Sequence, residues 1–275
     1  MQHETFLAKL SSLQVRNNSL VCVGLDSDLS RLPTHLQGKK DAQFTFNKAI
    51  IDTTASLVSC YKPNSAFYES AGEAGIWQLK LTCEYLREQY PEIPIILDAK
   101  RADIGSSNGG YVSFAYDYLE VDAITLHPYL GKEALQPFLE KTEKGTIVLC
   151  RTSNPGSGEL QSLMVDGVPL YQHLAKTVTS DWNKNNNCML VVGATYPEEI
   201  AAVRQIVGDM TLLVPGIGAQ GGDLEKTLKA GLNSAGAGLI INSSRGILFA
   251  SSTEDFPEVA QSETRRLRDA INSYR

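Results

Sequence analysis

Eight short apolar runs divide the chain into repeating units, and a segment with helical periodicity follows each run. The runs cover residues 19–25, 57–62, 93–100, 123–127, 145–151, 188–193, 211–216 and 236–241. Strands that alternate with helices pair in parallel, because a parallel pair needs a long connection and a helix provides one. Eight such units predict an α/β protein closed into a (β/α)8 barrel, or TIM barrel, as a single domain spanning residues 1–275.

Between these runs, mostly apolar side chains recur at the intervals of an α-helix. Five segments carry them, as Phe46, Ile50 and Thr54; Trp77, Leu81 and Tyr85; Leu170, Leu174 and Val178; Ile200, Val203 and Val207; and Val259, Leu267 and Ile271. Side chains three, four or eight positions apart lie on one side of a helix. We therefore expect each segment to be a helix that buries this stripe.

The alternative architecture is an open, doubly wound sheet. Such a sheet would carry a Gly-rich dinucleotide turn of the form GxGxxG after an early strand. Here the first run ends with residues 23–28, VGLDSD, and no such turn follows. The barrel is therefore favoured.

Charge and composition exclude several classes of partner. A formal net charge of −6 and a pI near 5.3 provide no basic field for a nucleic acid. No apolar run approaches the ~20 residues of a membrane helix, and no basic region followed by an apolar stretch opens the chain, so we expect a cytoplasmic protein. The five cysteines contain no CxxC pair and the four histidines have no helical ligand spacing, which indicates buried free thiols and no metal site.

Charged residues close the first three apolar runs. Asp26 ends the first run, Lys62 ends the second, and the third carries Asp98 and Lys100 shortly before Asp103. Residues two apart in a strand point to the same side, so Asp98 and Lys100 should both face the mouth of the barrel, where active sites form. A purely structural salt-bridge network is the alternative, but alternating charges at successive strand ends favour a catalytic site with tuned pKa values.

The last two strands are followed by loops of a phosphate-binding type. Residues 215–222 read PGIGAQGG after the seventh run, and residues 242–246 read NSSRG after the eighth. Glycine frees backbone N–H groups to bind an anion, and Arg245 would add a bidentate contact. The long polar segment 154–169 is a candidate lid. These features predict a small phosphorylated ligand beneath the charged array.

The same residues resemble a known family. The motifs are GLD at 24–26, YKPN at 61–64, DAKRADI at 98–104, SNPG at 153–156, PGIGAQGG at 215–222, and Arg245. In this order they are similar to those of the orotidine 5'-phosphate decarboxylase family, and most resemble its longer bacterial branch. The resemblance implies decarboxylation of orotidine 5'-phosphate to uridine 5'-phosphate and CO2, the last step of pyrimidine nucleotide synthesis, without a metal or organic cofactor.

The resemblance also implies roles for single residues. The catalytic array would be Lys62, Asp98, Lys100 and Asp103, with Lys100 protonating C6 of the pyrimidine and Asp98 near the departing carboxylate. The substrate contacts would come from Asp26, Ser107, Ser153, Pro215, Gln220, Gly221 and Arg245. Members of the family form homodimers with shared active sites, so Asp103 and Ser107 would enter the site of the partner subunit. A monomer should then be nearly inactive.

The other implied contacts concern the nucleotide. Asp26 and Lys62 would bind ribose hydroxyls, and Ser153 would contact the pyrimidine edge. Gln220 would bridge the phosphate and the base, and Arg245 would bind the phosphate. One departure from the branch is Ala102, where glycine is usual; an alanine would be strained there if the position requires a positive φ.

Three alternative functions share parts of this pattern. A Mg²⁺-dependent sugar-phosphate decarboxylase or aldolase of the same superfamily would have a carboxylate where Lys62 stands. A Schiff-base aldolase would need Lys62 or Lys100 as a neutral amine, which the neighbouring carboxylates oppose. A non-catalytic phosphate-binding barrel would leave the charged array unused. His127, at the end of the fourth run, is open to a structural role or to a place at the mouth.

Overall fold

Eight parallel strands form the centre of the molecule. The computed structural model of the protein describes residues 4–217 and 223–275. The strands are β1 Val21–Gly24, β2 Cys60–Lys62, β3 Ile96–Arg101, β4 Ala123–Leu126, β5 Gly145–Arg151, β6 Cys188–Val192, β7 Leu212–Pro215 and β8 Leu239–Ser243. They are ordered β2-β1-β8-β7-β6-β5-β4-β3, and parallel bridges at Tyr61↔Ile95 and Asn64↔Asp98 join the two ends. The sheet is therefore a closed barrel, as predicted.

Helices follow every strand and surround the barrel. They are α1 Phe6–Arg16, α2 Ala42–Thr54, α3 Ser65–Glu69, α4 Gly72–Gln89, α5 Gly105–Val112, α6 Gly131–Leu139, α7 Gly158–Gln161, α8 Leu170–Thr177, α9 Pro197–Val207, α10 Leu224–Gly231, α11 Arg245–Leu248 and α12 Phe256–Asn272. Short 3-10 turns cover Leu29–Arg31, Ala55–Leu57 and Pro155–Ser157, and π-helical turns cover Ser113–Tyr118 and Val178–Trp182. A small antiparallel hairpin pairs Met164–Val165 with Val168–Pro169.

Strand β8 differs most from its predicted position. It begins three residues later and ends two residues later than the run 236–241. Gly236 and Gly238 have φ angles of 66° and 81°, so they form the turn before the strand instead of its first residues. Asn242 and Ser243 belong to the strand and pair with Pro215 and Val23, which brings two polar residues to the mouth of the barrel.

The barrel interior has its own apolar cluster, which α1 closes from below. Phe6 and Leu10 of this helix are buried against inward-facing strand residues such as Ile96, Ile147 and Met189. A Cβ atom on Gly145 would lie 2.7 Å from the ring of Phe6, so glycine permits this contact. The N-terminal ends of the strands are thereby sealed, and the opposite ends are left for a site.

The predicted buried stripes are confirmed for two helices and wrong for α4. The stripes of α2 and α9 are fully buried, while those of α8 and α12 are buried only in part. In α4 the side chain of Trp77 is 49% exposed, and the buried face includes Gln78 and Thr82 instead. The Oε1 atom of Gln78 accepts hydrogen bonds from the backbone N–H groups of Gln43 and Phe44, which the first turn of α2 leaves unpaired. The buried face of α4 also contains Leu79, Cys83 and Leu86, so the helix buries an adjacent stripe and not the predicted one.

All five cysteines are buried free thiols, as predicted.

Across residues 4–217 and 223–275, none of the helices combines the length and the apolar character required to cross a membrane.

Candidate active site

A cavity of about 760 Å³ opens at the C-terminal ends of the strands. Seven of the predicted site residues line it, namely Asp26, Lys62, Asp98, Lys100, Ser153, Pro215 and Arg245. Its wall also contains residues that were not assigned a role from the sequence, including Asn64, Thr125, Thr152, Asn154, Gln161, Asn242 and Ser244. The strand ends thus converge on one site, as the barrel geometry requires.

Asp98 lies at the centre of the charged array. Its Oδ2 atom accepts a hydrogen bond from Nζ of Lys62 at 2.9 Å, and its Oδ1 atom accepts one from Nζ of Lys100 at 2.6 Å. The hydroxyl of Thr125 lies 2.9 Å from the same Oδ1 atom. One carboxylate therefore connects strands β2, β3 and β4, with an ammonium group on either side.

The free-energy cost of burying these charges is offset by the attraction between Asp98 and the two lysines. Burial by itself would raise the pKa of Asp98, but the positive charges of Lys62 and Lys100 and their hydrogen bonds hold that pKa well below its usual range. Burial would likewise lower the pKa of Lys62, but attraction from Asp98 and then Asp26 raises it above its usual value. Both groups are consequently ionised at neutral pH.

Backbone strain occurs at Lys100. Its φ angle is 48°, in the left-handed region that costs a non-glycine residue roughly 1–2 kcal/mol. The pairing of β3 with β4 shifts register between Leu97 and Arg101, so Lys100 lies in a bulge. Ala102 does not have a positive φ, so the backbone strain that the sequence suggested for Ala102 is absent there and occurs at Lys100 instead.

Asp26 has an acceptor atom without a partner. Its Oδ1 atom is buried and has no hydrogen-bond partner among the described residues. Buried acceptors of this kind are nearly always satisfied. A hydroxyl group of a ligand in the cavity would supply the missing donor.

The segment after β5 is folded and anchored. The guanidinium of Arg151 donates to both carboxylate oxygens of Glu199, at 2.7 Å and 2.9 Å, and to the hydroxyl of Ser157 at 2.8 Å. The Oε1 atom of Gln161 accepts from the backbone N–H of Thr152 at 2.9 Å. The candidate lid at 154–169 therefore consists of short helical turns and a hairpin tied to the end of β5.

Ser153 and its neighbours depend on a close approach between strands. A Cβ atom on Gly193 would lie 2.7 Å from the Cβ atom of Ser153. On the other side of the cavity, a Cβ atom on Gly24 would lie 1.9 Å from Oγ of Ser244. Glycine at both positions lets the loops that carry Ser153 and Arg245 reach the cavity wall.

The predicted phosphate-binding residues are described only in part. Pro215 and Arg245 line the cavity. Gln220 and Gly221 lie outside the described residues.

Asp103 and Ser107 do not line the cavity of their own barrel. Asp103 lies in the loop between β3 and α5, and Ser107 lies in the first turn of α5, where it is exposed. The buried side chain of Asn108 holds this loop, because it accepts from the backbone N–H of Asp103 and donates to the carbonyl groups of Asp103 and Ala134. The loop is thus fixed in place by Asn108, and neither Asp103 nor Ser107 lines the local cavity.

His127 has a structural role. Its Nε2 atom lies 3.2 Å from the carbonyl oxygen of Ala102, and its backbone N–H donates to the carbonyl of Arg101. The residue is not part of the cavity wall.

Among the residues missed from sequence, only some had a usable signal. Thr125 is a hydroxyl residue inside an apolar strand two positions before His127, and its inward direction follows from strand alternation. Asn242 belongs to the predicted phosphate-binding segment 242–246, but its place at the end of β8 would have been expected only if that strand had been extended by two residues. Gln161 gave no signal, since its approach to Thr152 depends on how the segment after β5 folds.

Sequence comparison identifies similar proteins over the whole chain. A family model described as "Orotidine 5'-phosphate decarboxylase / HUMPS family" matches residues 19–255. The orotidine 5'-phosphate decarboxylase of Janthinobacterium sp. (strain Marseille) is 50% identical over 270 residues, covering 98% of this chain and 99% of the relative. The enzyme of that name from Cellvibrio japonicus (strain Ueda107) is 50% identical over 273 residues with the same coverage.

Solved structures give the same result for the fold. The OMP decarboxylase of Leishmania donovani superposes with a TM-score of 0.85 at 38% identity, covering 98% of this chain and 99% of that chain. The UMP synthase of the same organism superposes with a TM-score of 0.86 at 39% identity. The match covers 98% of this chain and 57% of the synthase, so this chain spans little more than half of that longer protein.

Proposed function

The chain belongs to the orotidine 5'-phosphate decarboxylase / HUMPS family, and from this we propose that it converts orotidine 5'-phosphate into uridine 5'-phosphate and CO2. Two relatives that are 50% identical to this chain over 99% of their own length are named orotidine 5'-phosphate decarboxylase. An enzyme of that name is a carboxy-lyase, and the chain is an enzyme of that class. The observation that carries the specific proposal is the Lys62–Asp98–Lys100 array inside the cavity. It provides fixed positive charge where a carbanion would form.

The reaction breaks the bond between C6 of the pyrimidine and its carboxylate carbon. The electron pair stays on C6, and CO2 leaves. In our proposal the ammonium group of Lys100 lies beside C6, stabilises the developing negative charge and then transfers a proton to that carbon. Electrostatic stabilisation by groups that are already in place costs no reorganisation during the reaction.

Asp98 orients the proton donor. It holds Lys100 by a hydrogen bond of 2.6 Å, and its low pKa keeps it an anion at neutral pH. Lys62 neutralises the other carboxylate oxygen. Asp98 would then lie near the substrate carboxylate that departs as CO2.

The remaining cavity residues would bind the nucleotide. Asp26 and Lys62 would contact the ribose, and the unpaired Oδ1 atom of Asp26 supports this role. Ser153 would contact the pyrimidine edge. The phosphate would bind to the loop after β7 and to Arg245, with Pro215, Gln220 and Gly221 as further contacts. Binding energy from a phosphate remote from C6 can lower the barrier of the chemical step.

We also propose a homodimer with shared active sites. Asp103 and Ser107 lie outside their own cavity. Ile104, between them in the sequence, is 61% exposed, and Tyr129, in the loop after β4, is 80% exposed. Apolar residues exposed on neighbouring loops are typical of an interface. In the dimer, Asp103 and Ser107 would complete the site of the partner.

The proposed reaction needs no cofactor or metal. Lys62 occupies the position at which the Mg²⁺-dependent alternative has a carboxylate, and its raised pKa keeps it an ammonium group. That charge also opposes a Schiff base at Lys62, which requires the neutral amine. We place the enzyme in the cytoplasm with a small nucleotide as its ligand, and its net charge of −6 opposes nucleic acid binding.

The deciding experiment follows the pyrimidine absorbance of orotidine 5'-phosphate incubated with the purified protein in EDTA. We expect complete conversion to uridine 5'-phosphate. Absence of conversion would refute the proposal, and conversion that requires added Mg²⁺ would favour the sugar-phosphate type of enzyme. Inactivation by borohydride in the presence of substrate would instead indicate a Schiff base.

A further inference from the structure

Thr125 lies in β4 directly beneath the catalytic array. Its side chain lines the cavity, and the residue is only 1% exposed. No charged group of the array comes from β4, so this hydroxyl is the contribution of that strand to the centre of the site.

The hydroxyl of Thr125 makes two hydrogen bonds of opposite sense. It accepts from the backbone N–H of Lys100 at 3.0 Å and lies 2.9 Å from Oδ1 of Asp98. Asp98 is ionised and can only accept, so the hydroxyl proton points to the carboxylate. A single side chain thus contacts both the backbone of the proposed proton donor and the group that orients it.

The backbone of Lys100 needs such a partner. Its φ angle of 48° and the register shift between Leu97 and Arg101 take this residue out of the regular pairing of β3 with β4. Its N–H therefore lacks the usual strand acceptor, and the Thr125 hydroxyl replaces it. Strained backbone persists where the surroundings hold it in place.

We propose that Thr125 is a positioning residue, which holds Lys100 in its strained conformation and aligns Asp98 with it. The proposal rests on the decarboxylase function argued above and deepens it. The role predicts an effect on the chemical step in particular, since Thr125 contacts the Lys100–Asp98 pair and not Asp26 or Arg245, which are assigned to the ribose and phosphate.

Replacement of Thr125 by valine, Thr125→Val, keeps the shape of the side chain but removes both hydrogen bonds. We expect kcat to fall by about 10-fold to 100-fold, because a small displacement of a catalytic group has effects of this size. KM and the dissociation constant of uridine 5'-phosphate should change less than about threefold. Thr125→Ser retains the hydroxyl and should restore most of kcat.

Thr146→Val is the matched control. Thr146 is a fully buried threonine on the adjacent strand β5, and its hydroxyl bonds to the carbonyl of Phe138, away from the cavity. This variant should lose stability without a selective loss of kcat. A merely structural role for Thr125 would make the two valine variants behave alike.

The outcomes separate the two proposals. If the wild-type protein does not convert orotidine 5'-phosphate, the proposed function fails first. If the wild type is active and Thr125→Val keeps its kcat, or loses kcat and product affinity equally, the positioning role is wrong. Should the valine variant not fold, Thr125→Cys replaces the hydroxyl by a weaker hydrogen-bonding thiol, and a kcat equal to that of Thr125→Ser would overturn the proposal.

Discussion

The Nζ atom of Lys62 lies 2.9 Å from the Oδ2 atom of Asp98, across the junction that closes the barrel between β2 and β3. Lys62 is 3% exposed at its side chain and Asp98 is 13% exposed. This leaves the Oδ1 atom of Asp98 for Lys100 and Thr125. The same junction that joins the two ends of the sheet therefore brings Lys62 and Asp98 together in the candidate site.

The pairing predicts a particular dependence of stability on pH. The pKa of Asp98 is lower in the folded state than in the unfolded state. Its contribution to the free energy of unfolding is therefore present above the unfolded-state pKa of about 3.9 and is lost as pH falls through the folded-state pKa. The pKa of Lys62 is raised in the folded state. Its contribution to the free energy of unfolding is therefore present below the unfolded-state pKa of about 10.4 and is lost as pH rises through the folded-state pKa. Between roughly pH 4 and pH 10 the pair should be fully ionised.

Asp98→Asn should therefore lower the free energy of unfolding by about 3 kcal/mol at pH 7, because it leaves a buried ammonium group without its counter-charge. Urea denaturation at constant protein concentration measures the difference from wild type. The difference in free energy of unfolding between wild type and Asp98→Asn should stay constant between pH 7 and pH 5 and become smaller only below about pH 4. Asp181→Asn breaks an exposed pair with Lys132 and should cost less than about 1 kcal/mol; a difference for Asp98→Asn that already narrows near pH 6 would contradict the assignment.

Lys100→Ala should abolish turnover more completely than it weakens binding. Removing the proposed proton donor and its charge should lower kcat by at least about 10³-fold. The product uridine 5'-phosphate has no C6 carboxylate, so its affinity, measured by calorimetry, should change much less. Lys48→Ala, which removes an exposed partner of Asp52, serves as the control; equal losses in kcat and product affinity for Lys100→Ala would argue against its role as proton donor.

Much of the site was predictable because strand geometry is periodic. Side chains two apart in a strand share a side, so Asp98 and Lys100 were expected together, and both line the cavity. The alternation of strands and helices predicted parallel neighbours, which brought Lys62 to them. These conclusions depend only on local spacing and on the rule that parallel strands end at one edge.

Other features depend on tertiary contacts that no local pattern contains. The register shift near Lys100 arises from the pairing with β4, and the hydroxyl of Thr125 gains its role only through that shift. Trp77 was misplaced for a similar reason, since Gln78 turns inward to bond with the first turn of α2. The face of α4 that carries Gln78 also carries the apolar residues Leu79, Cys83 and Leu86, so helical periodicity alone fitted either face.

Anchoring of the segment after β5 should control substrate affinity. Arg151 holds Glu199 by two hydrogen bonds and also bonds to Ser157, and lysine does not reproduce this planar geometry. Arg151→Lys should therefore raise KM for orotidine 5'-phosphate by about tenfold, with kcat changed much less. It should also speed proteolytic cleavage within 154–169.

The control for that prediction is Arg266→Lys, which alters an exposed pair with Glu263. It should change neither KM nor the cleavage rate. A selective loss of kcat in Arg151→Lys would indicate that Arg151 acts on the chemistry instead of on the loop that carries Ser153.

The place of Asp103 leads to a test of the shared site. Because Asp103 does not line its own cavity, each active site in the proposed dimer takes Lys100 from one subunit and Asp103 from the other. The variants Lys100→Ala and Asp103→Ala should each be nearly inactive alone. After mixing, unfolding and refolding, about half of the dimers should be hybrids, in which one of the two sites has both native residues, so about a quarter of wild-type activity should return. Sedimentation and mass spectrometry would verify the hybrids; if hybrids form without any recovery of activity, Asp103 acts within its own subunit and the shared site is wrong.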